Sequence, residues 1–405
     1  MNADELDALL APSDAALAAH YRGDPGTRRP VHTVYVPADR FDSGTALRWG
    51  AQALDLFDAH APGPADVAEV WGLAPALAAD VHARVRAKLA TEPIEDLRVD
   101  FEDGYGPRPD DEEDAAAVRV ATTPTGTPFH GIRFRSLEAL SRRRAVRTLE
   151  VFLGALGPVP DGFVLTLPKV TAPEQVTALV AVLERLETEH GLDPVRFEVQ
   201  VETPQSVLGP DGTSPLPRVI ALAQGRCTGL HYGTYDYSAS LGVSARYQST
   251  EHPVADHAKA VMQVAAAGTG VRVADGSTNV LPVGGREQVR AAWALHGRLV
   301  RRSLEHGIAQ GWDLHPGHLP SRFVTGFAFY RESFPESAAR LRAYRERADS
   351  GFLDEPATAR ALAGFLRAGL DCGALDEAEV GAATGADRAD LDLLSAPPGP
   401  PAPAA

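Results

Sequence analysis

The stretch Phe197-Glu-Val-Gln-Val-Glu-Thr-Pro204 alternates apolar and polar residues and then ends on an acid, a threonine and a proline. Alternation of this kind predicts a β-strand, and the proline indicates that regular strand pairing stops there. Glu202 is therefore expected at the carboxyl end of a strand, which is where α/β barrels place their chemistry.

A second acid follows the next short apolar stretch, Gly229-Leu-His-Tyr-Gly-Thr-Tyr-Asp-Tyr237. Here a predicted strand runs into a glycine turn and then into Asp236. Two carboxylates at neighbouring strand ends can hold a hard divalent cation such as Mg²⁺, which usually takes one or two protein carboxylates and keeps several waters. The alternative is that Glu202 and Asp236 each cap the helix that follows them.

Strands and helices alternate along most of the chain. The patterns predict eight strands, at residues 31–37, 97–104, 131–135, 162–169, 197–204, 229–237, 271–275 and 312–316. Helical spacing of apolar residues fills the intervals between them. Eight such units over roughly 290 residues predict an α/β fold of the (β/α)₈ TIM-barrel type, with an open parallel sheet as the competing arrangement.

The pattern changes on both sides of the predicted barrel. Residues 1–30 are expected to form an N-terminal helical segment and residues 31–320 the barrel catalytic domain. Residues 321–394 are expected to form a C-terminal helical extension, with helices predicted at 322–330, 337–348 and 355–370. The proline-rich residues 395–405 are expected to be disordered.

Composition excludes several classes of function. The formal net charge of −15 over 405 residues argues against nucleic acid or an anionic membrane as the main partner. No apolar run approaches the ~20 residues of a membrane span, and the acidic N-terminus does not resemble a secretion signal. The two cysteines, Cys227 and Cys372, lie in no metal or redox spacing. A cytoplasmic protein is expected.

Polar side chains follow six of the predicted strands, in one layer at the expected catalytic face. They are Glu102 and Asp103, Arg133, Lys169, Glu202, Asp236 and His315.

The motifs that contain these residues resemble, in their order, those of the citrate lyase β-subunit-like proteins. That group belongs to the HpcH/HpaI aldolase superfamily and is related to the phosphoenolpyruvate/pyruvate barrel enzymes. The resemblance covers residues 31–320. It rests on Val34-Tyr-Val-Pro37, Asp100-Phe-Glu-Asp103, Ile132-Arg133, Leu167-Pro-Lys169, Val201-Glu-Thr203, Gly233-Thr-Tyr-Asp236 and Leu314-His-Pro316.

The resemblance implies a role for each polar residue. Glu202 and Asp236 are expected to be the ligands of Mg²⁺ or Mn²⁺. Arg133 is expected to bind a substrate carboxylate or carbonyl, for which its planar fork is suited. The acidic second strand, Asp100, Glu102 and Asp103, would orient this arginine and the waters at the metal, and Lys169 and His315 would line the floor and rim. The candidate catalytic residues are Arg133, Asp103 and His315, and the candidate substrate-binding residues are Arg133, Glu102, Lys169 and Tyr235.

The chain departs from the family pattern at two positions in the site. Arg135 stands where relatives often carry asparagine, and by strand alternation it points to the same side as Arg133, so an unusually basic site is expected. Tyr235 stands directly before the metal aspartate, where a small or acidic residue is usual.

The resemblance implies a metal-dependent carbon–carbon lyase or aldolase. Its substrate would be a small oxo acid or hydroxy acid, or the coenzyme A thioester of one, and the metal would stabilise the enolate that develops. One alternative is a malate-synthase-like condensing enzyme that uses the same metal and arginine. Another is a barrel that binds an acid metabolite without turnover.

A homo-oligomer is also expected. The aromatic residues that follow the predicted barrel, Phe323, Phe327, Phe329 and Tyr330, need to be covered. We expect the C-terminal helices to cover them by packing on a neighbouring subunit.

Overall fold

Eight parallel strands form the centre of the molecule. In a computed structural model, which describes residues 1–348, 351–352 and 354–396, the strand order is β7-β6-β5-β4-β3-β2-β1-β8. The strands are β1 His32–Pro37, β2 Asp96–Asp100, β3 Phe129–Arg133, β4 Val164–Leu167, β5 Arg196–Val201, β6 Cys227–Tyr232, β7 Arg272–Ala274 and β8 Gly311–Asp313. An isolated bridge between Ala274 and Gln310 joins β7 to the start of β8. The predicted (β/α)₈ barrel is confirmed.

Helices surround this barrel and extend beyond it. They are α1 Ala3–His20, α2 Thr45–His60, α3 Pro64–Trp71, α4 Pro75–Thr91, α5 Asp110–Ala121, α6 Arg142–Leu156, α7 Glu174–His190, α8 Pro204–Val207, α9 Leu216–Leu222, α10 Thr234–Ser240, α11 Pro253–Ala266, α12 Arg286–Glu305, α13 His318–Glu346, α14 Pro356–Cys372, α15 Glu377–Thr384 and α16 Arg388–Ser395. Most of the tail that we expected to be disordered, residues 397–405, lies outside the described residues.

The strands alternate as barrel strands should. Residues such as Leu97, Ile132, Leu165, Val199 and Leu230 are fully buried and belong to the main hydrophobic core. Because successive strand side chains point to opposite faces, the residues between them point into the barrel. Those inward positions carry mainly polar groups in this chain.

A buried polar network crosses the lower half of the barrel. Arg98 on β2 is ion-paired with Asp96 on its own strand and with Glu198 on β5, where Nη2 lies 3.0 Å from Oε2. Glu198 also accepts a hydrogen bond from Thr166 at 2.5 Å and lies 3.0 Å from Nε2 of His231 on β6. Because nearly every charge has a partner of opposite sign and further hydrogen bonds, these interactions offset the cost of burying the network.

A second buried cluster holds β8 to its surroundings. Asp313 is fully buried, and Nε and Nη2 of Arg322 donate to its two oxygens at 3.1 and 3.0 Å. The imidazole nitrogens of His32 and His296 lie 3.0 and 3.2 Å from the same carboxylate. One acid therefore ties β1, α12 and α13 to the last strand.

The helices after β8 differ from the prediction in one respect. The separate helices predicted at 322–330 and 337–348 are wrong, because α13 is one helix of 29 residues that continues through Pro335. Its first half packs on α4 and α12, so it covers the barrel wall as the helix of the eighth unit.

The observation on which the oligomer prediction was based, aromatic residues that need covering, is also wrong. Phe323, Phe327 and Tyr330 are already buried within the chain, and Phe329 packs against the core. A homo-oligomer stays a prediction without this support. Within the described residues, no helix is both long and apolar enough to cross a membrane.

Candidate active site

Arg133 and its acid partner end two adjacent strands. Arg133 is the last residue of β3 and is in register with Asp100, the last residue of β2. Nε and Nη2 of Arg133 donate to the two carboxylate oxygens of Asp100, both at 2.7 Å. Burial would raise the pKa of Asp100, but the charge and hydrogen bonds of Arg133 outweigh it and lower that pKa. The guanidinium lies 4.9 Å from the ring centroid of Tyr35, so its orientation is fixed on two sides.

The third guanidinium nitrogen points towards another acid. Nη1 of Arg133 lies 3.4 Å from Oε2 of Glu102, an oxygen that has no hydrogen-bond partner in the described part of the chain. Burial raises the pKa of Glu102, although the charges of Arg133 and Lys169 oppose this. Arg133 can therefore offer Nη1 to a ligand while Asp100 keeps the side chain in place.

Lys169 lies at the centre of the acidic residues. Its Nζ donates to Glu102 Oε1 at 2.7 Å and to Asp103 Oδ2 at 2.8 Å, and it lies 3.5 Å from Asp236 Oδ2. The backbone of Lys169 has φ of 50°, a left-handed conformation that is uncommon for a residue with a side chain. Strain of this kind concentrates at functional sites.

Glu202 follows β5 directly and is almost completely buried. Its Oε1 accepts the backbone N–H of Lys169 at 2.8 Å, and Gln200 Nε2 lies 3.5 Å from its Oε2. Burial raises the pKa of Glu202 to about 8, with Glu102 and Asp236 adding to the effect and Lys169 and Arg133 opposing it. This carboxyl group therefore lacks enough positive charge around it to be ionised at low cost.

The space for the Glu202 side chain depends on Gly233, the residue that precedes α10. A Cβ at Gly233 would lie 2.3 Å from Glu202 Cβ and 2.7 Å from its Oε2. Asp236 lies three residues beyond Gly233, in the first turn of α10, and its side chain is about half exposed. The glycine lets the start of α10 approach Glu202.

Within the described residues neither acid caps a helix, so capping does not account for them. The cap of α8 is Thr203, whose hydroxyl accepts the N–H of Ser206 at 3.3 Å. The cap position of α10 is Gly233, and no side chain of the described residues caps that helix.

The charge balance of this cluster fits a divalent cation. Four carboxyl groups, from Glu102, Asp103, Glu202 and Asp236, surround one ammonium group, while Arg133 is paired with Asp100. No three His, Cys, Asp or Glu side chains of the described residues are arranged as a ready metal site. Mg²⁺, however, is usually held by only one or two carboxylates. The residues present therefore fit such an ion.

Three of the residues singled out in the sequence have their own partners. His315 Nδ1 accepts the N–H of Gly317 at 3.0 Å, and the Tyr235 hydroxyl donates to the carbonyl of Ser277 at 3.3 Å. Arg135 lies beyond the end of β3 and pairs with Glu113 at 2.9 Å. The expectation of an unusually basic site is wrong, because strand alternation stops at Arg133 and α5 supplies an acid for Arg135.

Two contributors to the site were missed in the sequence. Tyr35 packs against Arg133, and Gln200 lies beside Glu202. Both stand on inward-facing strand positions, and Gln200 precedes Glu202 by two residues, so strand alternation alone could have found it.

Comparison with solved structures supports the barrel and its helical surroundings. A citrate lyase from Burkholderia xenovorans is 17% identical, and the match covers 88% of this chain and 96% of that one with a TM-score of 0.58. The protein CitE of Mycobacterium tuberculosis, solved with magnesium, acetoacetate and coenzyme A, is 18% identical over 85% of this chain and 99% of that one, with a TM-score of 0.52. At these identities the likeness concerns the fold.

Comparison with curated proteins finds no match. A family model described as "Domain of unknown function (DUF6986)" matches residues 10–397, which is nearly the whole chain. The protein therefore belongs to the DUF6986 family.

Proposed function

We propose that the protein is a Mg²⁺-dependent carbon–carbon lyase or aldolase that acts on a small oxo acid or hydroxy acid, or on its coenzyme A thioester. The observation that carries the proposal is the cluster of four carboxyl groups at the carboxyl ends of the strands, with the buried Glu202 among them. The likeness in fold to citrate lyase structures supports the same class of reaction.

The proposed roles follow from where each group lies. Glu202 and Asp236 would hold the ion, and Mn²⁺ could replace Mg²⁺ with the same oxygen ligands. When bound, the ion would act as a Lewis acid that stabilises the enolate formed beside the broken bond. Lys169 would balance the charge of Glu102 and Asp103, to which it already donates.

Arg133 would bind the substrate carboxylate. Asp100 engages Nε and Nη2, which leaves Nη1 as the donor for a ligand. Because the pair with Asp100 holds the guanidinium rigid, little conformational entropy would be lost when substrate binds.

His315 and Asp103 are the candidates for handling protons. Burial lowers the pKa of His315, and its Nδ1 accepts a backbone N–H, which places the ring hydrogen on Nε2. His315 would thus donate a hydrogen bond to the substrate from Nε2. The Asp103 carboxylate is more than half exposed beside Lys169 and would accept a proton.

The proposal is tested by incubating the full-length protein with Mg²⁺ and a panel of 2-hydroxy acids, 2-oxo acids and their coenzyme A thioesters. A coupled dehydrogenase would report the release of a 2-oxo acid. A second arm with glyoxylate and acetyl-coenzyme A would detect condensation instead of cleavage. Tight Mg²⁺ binding without turnover in either arm would favour a binding protein over an enzyme.

Replacing Arg133 by lysine should separate substrate binding from metal binding. Lysine keeps the positive charge but lacks the planar fork of arginine. It therefore cannot bind Asp100 with two nitrogens and present a third, Nη1, to the substrate. We expect Mg²⁺ affinity, measured by calorimetry, to stay within about twofold, because Arg133 supplies no ligand to the ion.

The same variant should lose activity. One charge-assisted hydrogen bond contributes about 1.5–3 kcal/mol, so kcat/KM should fall by about tenfold to a hundredfold. Loss of Mg²⁺ binding in this variant would contradict the division of roles.

A further inference from the structure

The opposite end of the barrel holds a cavity that the proposed reaction does not use. It has a volume of about 680 Å³ and opens at the amino-terminal ends of the strands, a size within the usual range of small-molecule sites. Arg196 begins β5 and Glu202 follows its end, so the cavity mouth lies roughly 20 Å from the acidic cluster at about 3.3 Å per strand residue.

The wall of this cavity is firmly built. The segment after α1 crosses the mouth, and Gly23 N–H donates to the carbonyl of Gly268 at 2.8 Å. A Cβ at Gly270 would lie 2.7 Å from the Gly23 carbonyl oxygen, so the close approach needs a glycine there. The floor is the buried network that contains Arg98, Glu198 and His231.

Three guanidinium groups that line this cavity have no acidic partner among the described residues. Arg22 donates Nε to the carbonyl of Ala19, and Arg272 donates to the carbonyls of Thr27 and Arg28 and to the Thr27 hydroxyl. Arg196 is exposed at the start of β5. In the described part of the chain none of the three forms an ion pair, whereas many other arginines of the protein do.

The acids of the region do not neutralise these arginines. Asp96 and Glu198 at the floor are paired with Arg98. Asp161 and Asp193 line the cavity at exposed positions, where water screens them.

Arg272 is half-buried, and the acids around it are already engaged. Burial and the charge of Arg29 lower its pKa to about 10, against the opposing charges of Asp24 and Asp371. Asp24 pairs with Arg29 and Arg367, and Asp371 pairs with Arg388. A half-buried guanidinium bonded only to neutral oxygens is stabilised by an added anion.

We propose that this amino-terminal cavity binds a small metabolite through an oxyanion group, either a carboxylate or a phosphate, held by Arg22, Arg196 and Arg272. The ligand lies on the face opposite the acidic cluster and is not the substrate. The proposal does not depend on the reaction proposed above.

The test is calorimetric titration of the full-length protein with inorganic phosphate in one arm and succinate in the other, which distinguishes the two sources of the oxyanion. We expect saturable binding of at least one of them. Arg196→Gln removes a charge at an exposed position without a partner, so the fold should be unaffected. It should weaken binding at least about tenfold, since one charge-assisted hydrogen bond is lost. Arg272→Gln should do the same.

Two controls separate this site from others. Arg143→Gln removes an exposed arginine on α6 that is not part of the cavity lining, and should leave the dissociation constant unchanged. Arg133→Lys should also leave it unchanged. The proposal is overturned if neither anion binds saturably, if Arg143→Gln weakens binding as much as Arg196→Gln does, or if only Arg133→Lys weakens it.

Discussion

Replacing Glu202 by glutamine is expected to abolish Mg²⁺ binding and turnover while leaving the barrel folded. The substitution keeps the shape of the side chain but removes one negative charge at the ion. Mg²⁺ gives up water reluctantly and depends on carboxylate charge for its retention. Calorimetry should therefore detect no Mg²⁺ binding at concentrations that saturate the unaltered protein, and release of a 2-oxo acid should fall to background.

The fold should survive this change for a structural reason. Among the residues that the structure describes, Glu202 forms no ion pair, and its Oε1 accepts the Lys169 N–H, which an amide oxygen can also accept. Because burial raises the pKa of Glu202 to about 8, its carboxyl is largely protonated at neutral pH in the ion-free protein, so a neutral amide in its place should not lower the denaturant midpoint. Glu184→Gln on α7, an exposed position, is the matched control and should change neither property. Normal Mg²⁺ binding by Glu202→Gln would show that the ion is held elsewhere.

Replacing Asp313 by asparagine is expected to cause the largest loss of stability, about 3–5 kcal/mol in the free energy of unfolding. The fully buried Asp313 carboxylate is the partner of Arg322 and lies within hydrogen-bond distance of His32 and His296. Asparagine has similar volume but leaves the Arg322 charge buried without an opposite charge. Guanidinium unfolding would measure the loss, with the exposed Asp161→Asn as the control.

The loss of stability caused by Asp313→Asn should become smaller in acid. Burial would raise the pKa of Asp313, but the charge of Arg322 and the nearby imidazoles of His296 and His32, whose nitrogens lie 3.2 and 3.0 Å away, outweigh it and hold that pKa well below its usual range. A carboxyl whose pKa is lowered by folding stabilises the protein fully above its unfolded pKa of about 4 and loses that contribution below it. The stability difference between the variant and the unaltered protein should be constant at neutral pH and shrink below about pH 4. A difference that stayed constant or grew below about pH 4 would contradict this account.

The barrel was predictable because its signal is local and repeated. Each strand is short, and an acid, glycine or proline marks the end of every strand except β3 in the sequence. The stretch around Glu202 shows this, since β5 ends at Val201 and the acid stands next. The register of β2 and β3 then brings Asp100 beside Arg133, as the expected orienting role of Asp100 requires.

What could not be predicted depends on contacts between distant segments. Arg135 finds Glu113 across 22 residues, and α13 continues through Pro335 because packing on neighbouring helices outweighs the lost backbone hydrogen bond. The left-handed backbone of Lys169 and the position of its ammonium group among the acids also have no sequence pattern. The amino-terminal cavity is formed by segments as far apart as Arg22 and Arg272.

The central claim is that Glu202 and Asp236 together hold a divalent cation beside Arg133. Its most direct test is a crystal structure of the protein with Mg²⁺ and oxalate, an unreactive dianion with two carboxylates. We expect one ion bound to both carboxylates, which must then lie within roughly 5 Å of each other given Mg–O distances near 2.1 Å, with oxalate on the ion and on Arg133 Nη1. An ion bound elsewhere would contradict the account. So would a structure in which Lys169 stays among the acids and the carboxyl groups of Glu202 and Asp236 lie too far apart to share one ion.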